Sequence, residues 1–369
     1  MPNKGEWGEP YAALKILGEG KLHVADDEEK RGNEWMTVLE LIRHETQDRI
    51  VTYRYQENNV DIDIYVNGDL KISVPARDFL EIAETLSRNI IESKGRSVTV
   101  SETVDEFLHR IEMEKIKARS VDKSDIFLTV QDPRAGVTRR HIGYSIKSEF
   151  GNDPTLFNTA KASAVVYRLI GANEQIKNEV NNIVDRYGHV AVGARCNKIK
   201  EHCRIEFAGF PIAQKAGCAA FEENLDLLDS RLKIVIEQLL WNHFFENKTE
   251  VDISKAMEIV IDDNPCGITR PEIKYPYMVK SFLYAVYCGM TASTLWDGKS
   301  EVNGGFIKVK ENGEVLAHYA LESDAFKSYL YNNCYLEWPS TDEGHGNYAK
   351  IYEEDGEYYF RLNFQIRYR

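Results

Sequence analysis

Hydrophobic and polar residues alternate with a period of two through "WMTVLELI" (35–42), "IVTYRYQ" (50–56) and "VDIDIYVNGDLKISVP" (60–75). That period places successive side chains on opposite faces and predicts half-buried strands. Asn67-Gly68, between two such runs, is a hairpin turn signal. The period lengthens to 3.6 in "ARDFLEIAETLSRNII" (76–91) and "VSETVDEFLHRIEMEKI" (100–116), which predicts helices. Near the N-terminus "GEWGEPYAALKILGEGKL" reads as an amphipathic helix closed at Gly18 or Gly20, with Pro10 tolerated in its first turn. Two strands, "DIFLTVQD" (125–132) and "RHIGYSIKSE" (140–149), are joined by the turn-rich "DPRAGVTR". "NTAKASAVVYRLIG" (158–171) reads as a helix ended by glycine, and "CRIEFAGF" as a strand. "LDLLDSRLKIVIEQLLWNHFF" (225–245) predicts one long apolar helix, and "YPYMVKSFLYAVYCGM" (275–290) another. From Gly304 the pattern returns to strand and turn, with hairpin signals at Asn312-Gly313 and Asp355-Gly356. The mixture predicts an α/β or α+β chain without internal repeats, with a distinct C-terminal subregion.

Composition narrows the class. A chain of 369 residues, 43% hydrophobic and 11% aromatic, can bury a large core, which excludes wholesale disorder. No apolar run approaches the ~18 residues of a membrane span. "MPNKGEWGEP" lacks the apolar stretch of a secretory signal, and six cysteines are scattered without framework spacing, so a cytoplasmic protein with reduced thiols is expected. Cys196, His202 and Cys203 in "CNKIKEHC" have no second ligand pair at a finger-like interval, which argues against zinc there.

The net charge of −13 argues against a general nucleic-acid coat but leaves room for one basic cleft. Locally the balance inverts. From Lys115 to Lys147 there are eight Lys or Arg and three acids. Inside that stretch "GYSIKSEF" (143–150) puts Ser145, Lys147 and Glu149 on one face and Tyr144 and Ile146 on the other. Alone, this fits an edge strand with a solvated face. A hairpin would bring Asp125 near Lys147, either as a cross-strand ion pair or as chemistry. Phosphodiester hydrolysis needs a hard cation on oxygen ligands, a positioned water and charge stabilisation at phosphorus. Asp125 could hold Mg²⁺ with the main-chain carbonyl of Ile146, and Lys147 could orient the water and offset charge.

Several segments in order along the chain resemble the HpaII-type restriction endonucleases: "NKGEWGEPYAALKILGEGKL", "SDIFLTVQDPRAG", "GYSIKSEFGNDPTLFNTAKAS", "FEENLDLLDSRL", "GMTASTLWDGKSEVNGGFIKVKENGEVL", "WPST" and "YYFRLNFQIR". The resemblance spans essentially the whole chain. It implies a PD-(D/E)XK nuclease, with a mixed sheet flanked by helices and an added C-terminal β-rich part. The expected activity is Mg²⁺-dependent cleavage of double-stranded DNA at a short palindrome such as CCGG, with Mn²⁺ as a substitute metal. In this match Ser124-Asp125 takes the "PD" place, with serine for proline. Ser145-Ile146-Lys147 takes the "(D/E)XK" place, with serine where the second acid stands. The resemblance offers Glu9 or Glu6, on the N-terminal helix, to replace the missing carboxylate, with Glu149 ranked behind them.

The expected division is a nuclease core over 1–240 and a DNA-recognition part over 241–369. Candidate DNA contacts are Asn158, Lys161 and Ser163, then Ser340, Thr341 and His345 in "WPSTDEGHGNY", and Gln365, Arg367 and Arg369 at the end. A homodimer is expected on palindromic DNA by symmetry, with a cognate DNA methyltransferase as functional partner. Two other functions compete: a nuclease of the same fold with another DNA-processing role, and an inactive DNA-binding protein, which the missing acid motivates.

Overall fold

The protein is described by a computed structural model covering residues 2–25, 30–95, 97–117, 124–133, 136–151, 155–158, 160–186, 190–246, 250–299, 304–319, 323–337 and 348–368. The chain opens with α1 (Gly8–Glu19), β1 (Lys21–Ala25), β2 (Arg31–Thr46), β3 (Arg49–Tyr55), β4 (Asp61–Val66) and β5 (Asp69–Pro75). Next come α2 (Ala76–Glu92), α3 (Glu102–Arg110), β6 (Ile126–Asp132) and β7 (Val137–Ser148). The middle holds β8 (Thr155–Phe157), β9 (Val165–Ile170), α4 (Glu174–Asn181), α5 (Val192–His202), β10 (Arg204–Gly209), α6 (Ala220–Leu228), α7 (Leu232–Phe244), α8 (Ile253–Asp263) and α9 (Pro271–Tyr287). The end carries β11 (Gly305–Val309), β12 (Val315–Tyr319), α10 (Ser323–Asn333), β13 (Cys334–Leu336), β14 (Ile351–Glu354), β15 (Glu357–Leu362) and β16 (Ile366–Tyr368).

Two units form. The first is Met1–Pro154 with Ser300–Phe326; the second is Thr155–Lys299 with Lys327–Arg369. These boundaries differ from the expected break at 240/241, which would cut through α7. The long-range pairing of β11 with β7 sends residues 305–309 back to the first unit, and no local pattern announces such a return.

The first unit is built on a nine-stranded mixed sheet in the order β1-β12-β11-β7-β6-β2-β3-β4-β5. β7 is therefore interior, between β6 (antiparallel) and β11 (parallel), and not the edge strand its alternation alone would allow. One sheet face carries Leu41, Tyr53, Leu128, Ile146 and Ile307 into a core with Leu14 and Leu17 of α1 and Phe79 and Leu86 of α2. Each such side chain, taken fully out of water, contributes roughly 1.5–3 kcal/mol before entropy is charged against it. α1 ends where expected, with Gly20 left-handed at φ 63°. Its Gly18 lets the α2 backbone approach, since a Cβ there would sit 2.7 Å from the Leu80 amide nitrogen. Asn67-Gly68 and Asp355-Gly356 both take positive φ, as their hairpins require.

The second unit contains a four-stranded sheet, β10-β9-β15-β14, and a three-stranded sheet, β13-β16-β8. Here two expectations fail. Residues 165–170 of the supposed helix 158–171 are strand β9, flanked by β10 and β15, because "VVYRLI" is rich in branched and aromatic side chains that fit a sheet with partners on both edges. The supposed single helix 225–245 is α6 and α7, broken at 229–231. There the Asp229 carboxylate accepts the Arg231 N–H at 3.0 Å and its guanidinium at 2.6 Å, which competes with helical hydrogen bonding.

Candidate active site

β6 begins one residue after Asp125, while β7 runs on past it, so the end of β7 has β11 on one side and lies beyond β6 on the other. The Asp125 N–H donates to the Tyr144 carbonyl at 2.8 Å, which sets Asp125 across from Ser145. The Glu149 N–H donates to the Val309 carbonyl at 2.8 Å, so odd-numbered peptide edges of β7 turn toward β11. A strand residue sends its N–H and C=O to the same side, so both groups of Ile146 turn to the β6 side, where Asp125 stands. The Ile146 N–H donates to Asp125 Oδ2 at 2.5 Å, and the Ser145 hydroxyl donates to the same oxygen at 3.2 Å. Oδ1 takes no hydrogen bond from the described residues.

Burial pushes the Asp125 carboxyl above the usual carboxylate range. The Lys147 ammonium opposes that push, followed by the Ile146 N–H, the Ser145 hydroxyl and the Arg43 guanidinium. Lys147 is half-buried on the sheet face shared with Ser145. Ser145 thus orients Asp125 and adds no charge.

Among the described residues no group of three or more His, Cys, Asp or Glu side chains is clustered to hold a metal. Mg²⁺ does not need such a cage, since it keeps several waters and takes one or two carboxylates beside substrate phosphate. The Asp125 carboxylate and the Ile146 carbonyl on one strand edge form a hard-oxygen donor pair that fits it.

The three acids offered as an auxiliary carboxylate stand in different surroundings. Glu6 lies before α1 and is engaged in a turn, where its carboxylate accepts the Asn3 N–H at 2.9 Å and the Asn3 side chain accepts its own N–H at 2.9 Å. Glu9 is buried in the first turn of α1. The preceding Gly8 meets β7 so closely that a Cβ there would fall 2.3 Å from Ser148 Cβ. Glu149 forms an ion pair with Lys308 at 2.7 Å. Gly8→Ala should therefore push the start of α1 off β7 and lower stability by about 1–3 kcal/mol, the scale of overpacking. A thermal melt checks this, and an unchanged melting temperature would show that α1 is free to shift.

Three charged side chains near this site escaped the sequence. Arg43 and Glu45, buried on β2, pair at 3.0 Å and hold both backbone groups of Lys115: Arg43 donates to its carbonyl at 2.6 Å and Glu45 accepts its N–H at 2.5 Å. Lys308 is 1% exposed. The only local signal for any of them is a charge inside an apolar strand, which a solvated face produces equally well.

The basic stretch is partly committed elsewhere. Arg139 pairs with buried Asp132 at 3.0 Å and the exposed Lys117 with Glu6 at 4.0 Å, whereas Arg140 is exposed. Arg119, Lys123 and Arg134 lie outside the described residues, as do Ser340, Thr341, His345 and Arg369. The remaining candidate DNA contacts belong to the second unit. Asn158 and Lys161 are exposed, and Gln365 is half-buried. Arg367 pairs with Glu337. Ser163 is fully buried, with its hydroxyl donating to the Ala160 carbonyl at 3.0 Å, so its side chain serves a turn and not a groove.

No solved structure matches the chain. A curated relative, the "Type II restriction enzyme HpaII" of Haemophilus parainfluenzae, is 29% identical over 99% of this chain and 98% of its own length. The HpaII restriction endonuclease family model matches residues 3–368. With the match running through both units and through the Asp125–Lys147 hairpin, the chain belongs to the HpaII restriction endonuclease family.

Proposed function

We propose that the chain is a type II restriction endonuclease that hydrolyses double-stranded DNA at a short palindrome, CCGG-like, with Mg²⁺ or Mn²⁺ as cofactor and a first unit of the PD-(D/E)XK kind. The observation that carries this reading is the Asp125 carboxylate fixed by the Ile146 N–H beside the Lys147 ammonium, on an interior strand of a chain in this family. Bound Mg²⁺ would supply a Lewis acid at the scissile phosphate. Asp125 and the Ile146 carbonyl would hold it, and the Ser145 hydroxyl keeps the carboxylate turned to the strand edge. Lys147 orients the attacking water and offsets charge developing on phosphorus. Glu9 provides the second carboxylate; its burial next to the Gly8 that packs on β7 supports this choice over Glu6.

The second unit, which carries Asn158 and Lys161, takes the larger part in recognition. Base reading at guanine calls for Arg or Lys. Two-fold DNA favours a homodimer, and host protection requires a cognate methyltransferase. No described helix is long and apolar enough to cross a membrane.

Digestion of plasmid DNA in Mg²⁺ tests the reading. Discrete bands are expected, whereas a smear would indicate another DNA-processing nuclease and a gel shift without cleavage an inactive binder. The auxiliary acid has its own test. Glu9→Gln should slow single-turnover cleavage on the order of a hundredfold, the scale of losing one transition-state stabiliser. Glu6→Gln should change it little. The reverse order would move the role to Glu6.

A further inference from the structure

Next to Lys147 the sheet holds a second lysine. In the parallel β7–β11 ladder Lys147 and Lys308 are Cα partners, so their side chains stand abreast on one face of strands about 4.8 Å apart. Lys308 is 1% exposed, and a buried ammonium is tolerated only with a counter-charge. Glu149 supplies it, with Oε1 at 2.7 Å from Lys308 Nζ. Its other oxygen accepts the Glu311 N–H at 3.3 Å, and its own N–H is bonded to Val309. The carboxylate is thus turned toward the β11–β12 connection. Glu149 also lies two residues from Lys147 on the same strand face, about 6.6 Å along the strand, within reach of a lysine side chain.

We propose that Lys308 is a positioning residue: by holding Glu149 toward β11, it keeps that carboxylate from capturing the Lys147 ammonium, a role that rests on the nuclease reading of the site. Two consequences follow from the charges. Three groups, two cations and one anion, leave one net positive charge, and the Glu149–Lys308 pairing leaves it on Lys147, beside Asp125. Without Lys308, the cations left beside Glu149 are Lys147 on its own strand and Lys310, which follows β11 and pairs with Glu314 at 3.9 Å; capture of Lys147 would draw the ammonium away from the phosphate.

The test uses the full chain with Lys308→Met, Lys308→Gln and the double variant Glu149→Gln/Lys308→Met, each followed by a thermal melt, single-turnover cleavage in Mg²⁺ and DNA binding in Ca²⁺. The single variants should bind DNA as the wild type does and cleave on the order of a hundredfold more slowly, the scale of a misplaced reacting group. The double variant removes the captor along with its holder. It should recover cleavage to within a few-fold of wild type. A folded double variant as slow as the single ones would overturn the proposal, because Glu149 or Lys308 would then be needed for itself. Wild-type cleavage by a folded single variant would overturn it too. A wild-type protein that cleaves no DNA would instead defeat the nuclease reading on which the proposal stands.

Discussion

Asp125→Asn should abolish Mg²⁺-dependent cleavage while leaving DNA binding in Ca²⁺ near wild type. The amide keeps the size of the side chain and an oxygen to accept the Ile146 N–H, but it is a poor ligand for a hard cation. A rate loss of at least about a thousandfold is expected, the upper range for removing one electrostatic stabiliser. Stability should move the other way or not at all. Burial raises the Asp125 carboxyl above its ordinary value, so its charge costs the folded protein more than it costs the unfolded chain. The sign follows: a raised carboxyl lends its stability at low pH and loses it as pH rises through the folded value, and the uncharged amide escapes that loss. Without metal, the variant should melt at or above the wild-type temperature. Mg²⁺ should raise the melting temperature of the wild type through mass action and leave that of the variant unchanged. Near wild-type cutting by Asp125→Asn, or equal Mg²⁺ stabilisation of both proteins, would remove Asp125 from the site.

Lys147→Met should be as damaging to cleavage and almost silent in the melt. Methionine retains an apolar stem of similar length and loses the charge. A lysine that only decorated a wet strand face would contribute roughly 0–1 kcal/mol through surface pairing, and its loss would leave the rate intact. Lys147 instead forms no ion pair or hydrogen bond with the described residues, while its charge is the largest influence opposing burial at Asp125. A cation kept half-buried without a bonded partner, beside a carboxylate on an interior strand, suits stabilisation of a phosphoryl group. Cleavage should fall by several orders of magnitude, beyond the effect of one misplaced group, because positioning and charge are lost together. Mn²⁺ should not restore it, since a change of metal does not replace a cationic side chain. A single-turnover rate within tenfold of wild type would return Lys147 to a structural role.

Local signals carried much of the chain into its elements. Period-two runs became β2 to β5, and 3.6-period runs became α1, α2 and a shorter α3. Asn67-Gly68, Asn312-Gly313 and Asp355-Gly356 each closed a hairpin. These patterns are legible because side-chain period and turn chemistry act over a few residues and need no distant partner. The same holds for the core of the candidate site: Asp125, Ser145, Ile146 and Lys147 sit on one hairpin, so alternation and register bring them together.

What the tertiary structure decided depends on contacts between distant residues. "VVYRLI" became strand β9 because β10 and β15 were there to pair with it. Glu6 and Glu9 look equivalent in sequence, and only the tertiary structure buries Glu9 in the first turn of α1, next to the Gly8 that packs on Ser148, while Glu6 turns back to Asn3. Glu149 lies on the expected face, yet a lysine 159 positions further along the chain engages it. That pairing exists because β11 returns to lie parallel to β7, and a charge in an apolar strand carries no mark of whether its neighbour will be water or a strand from the far end of the chain.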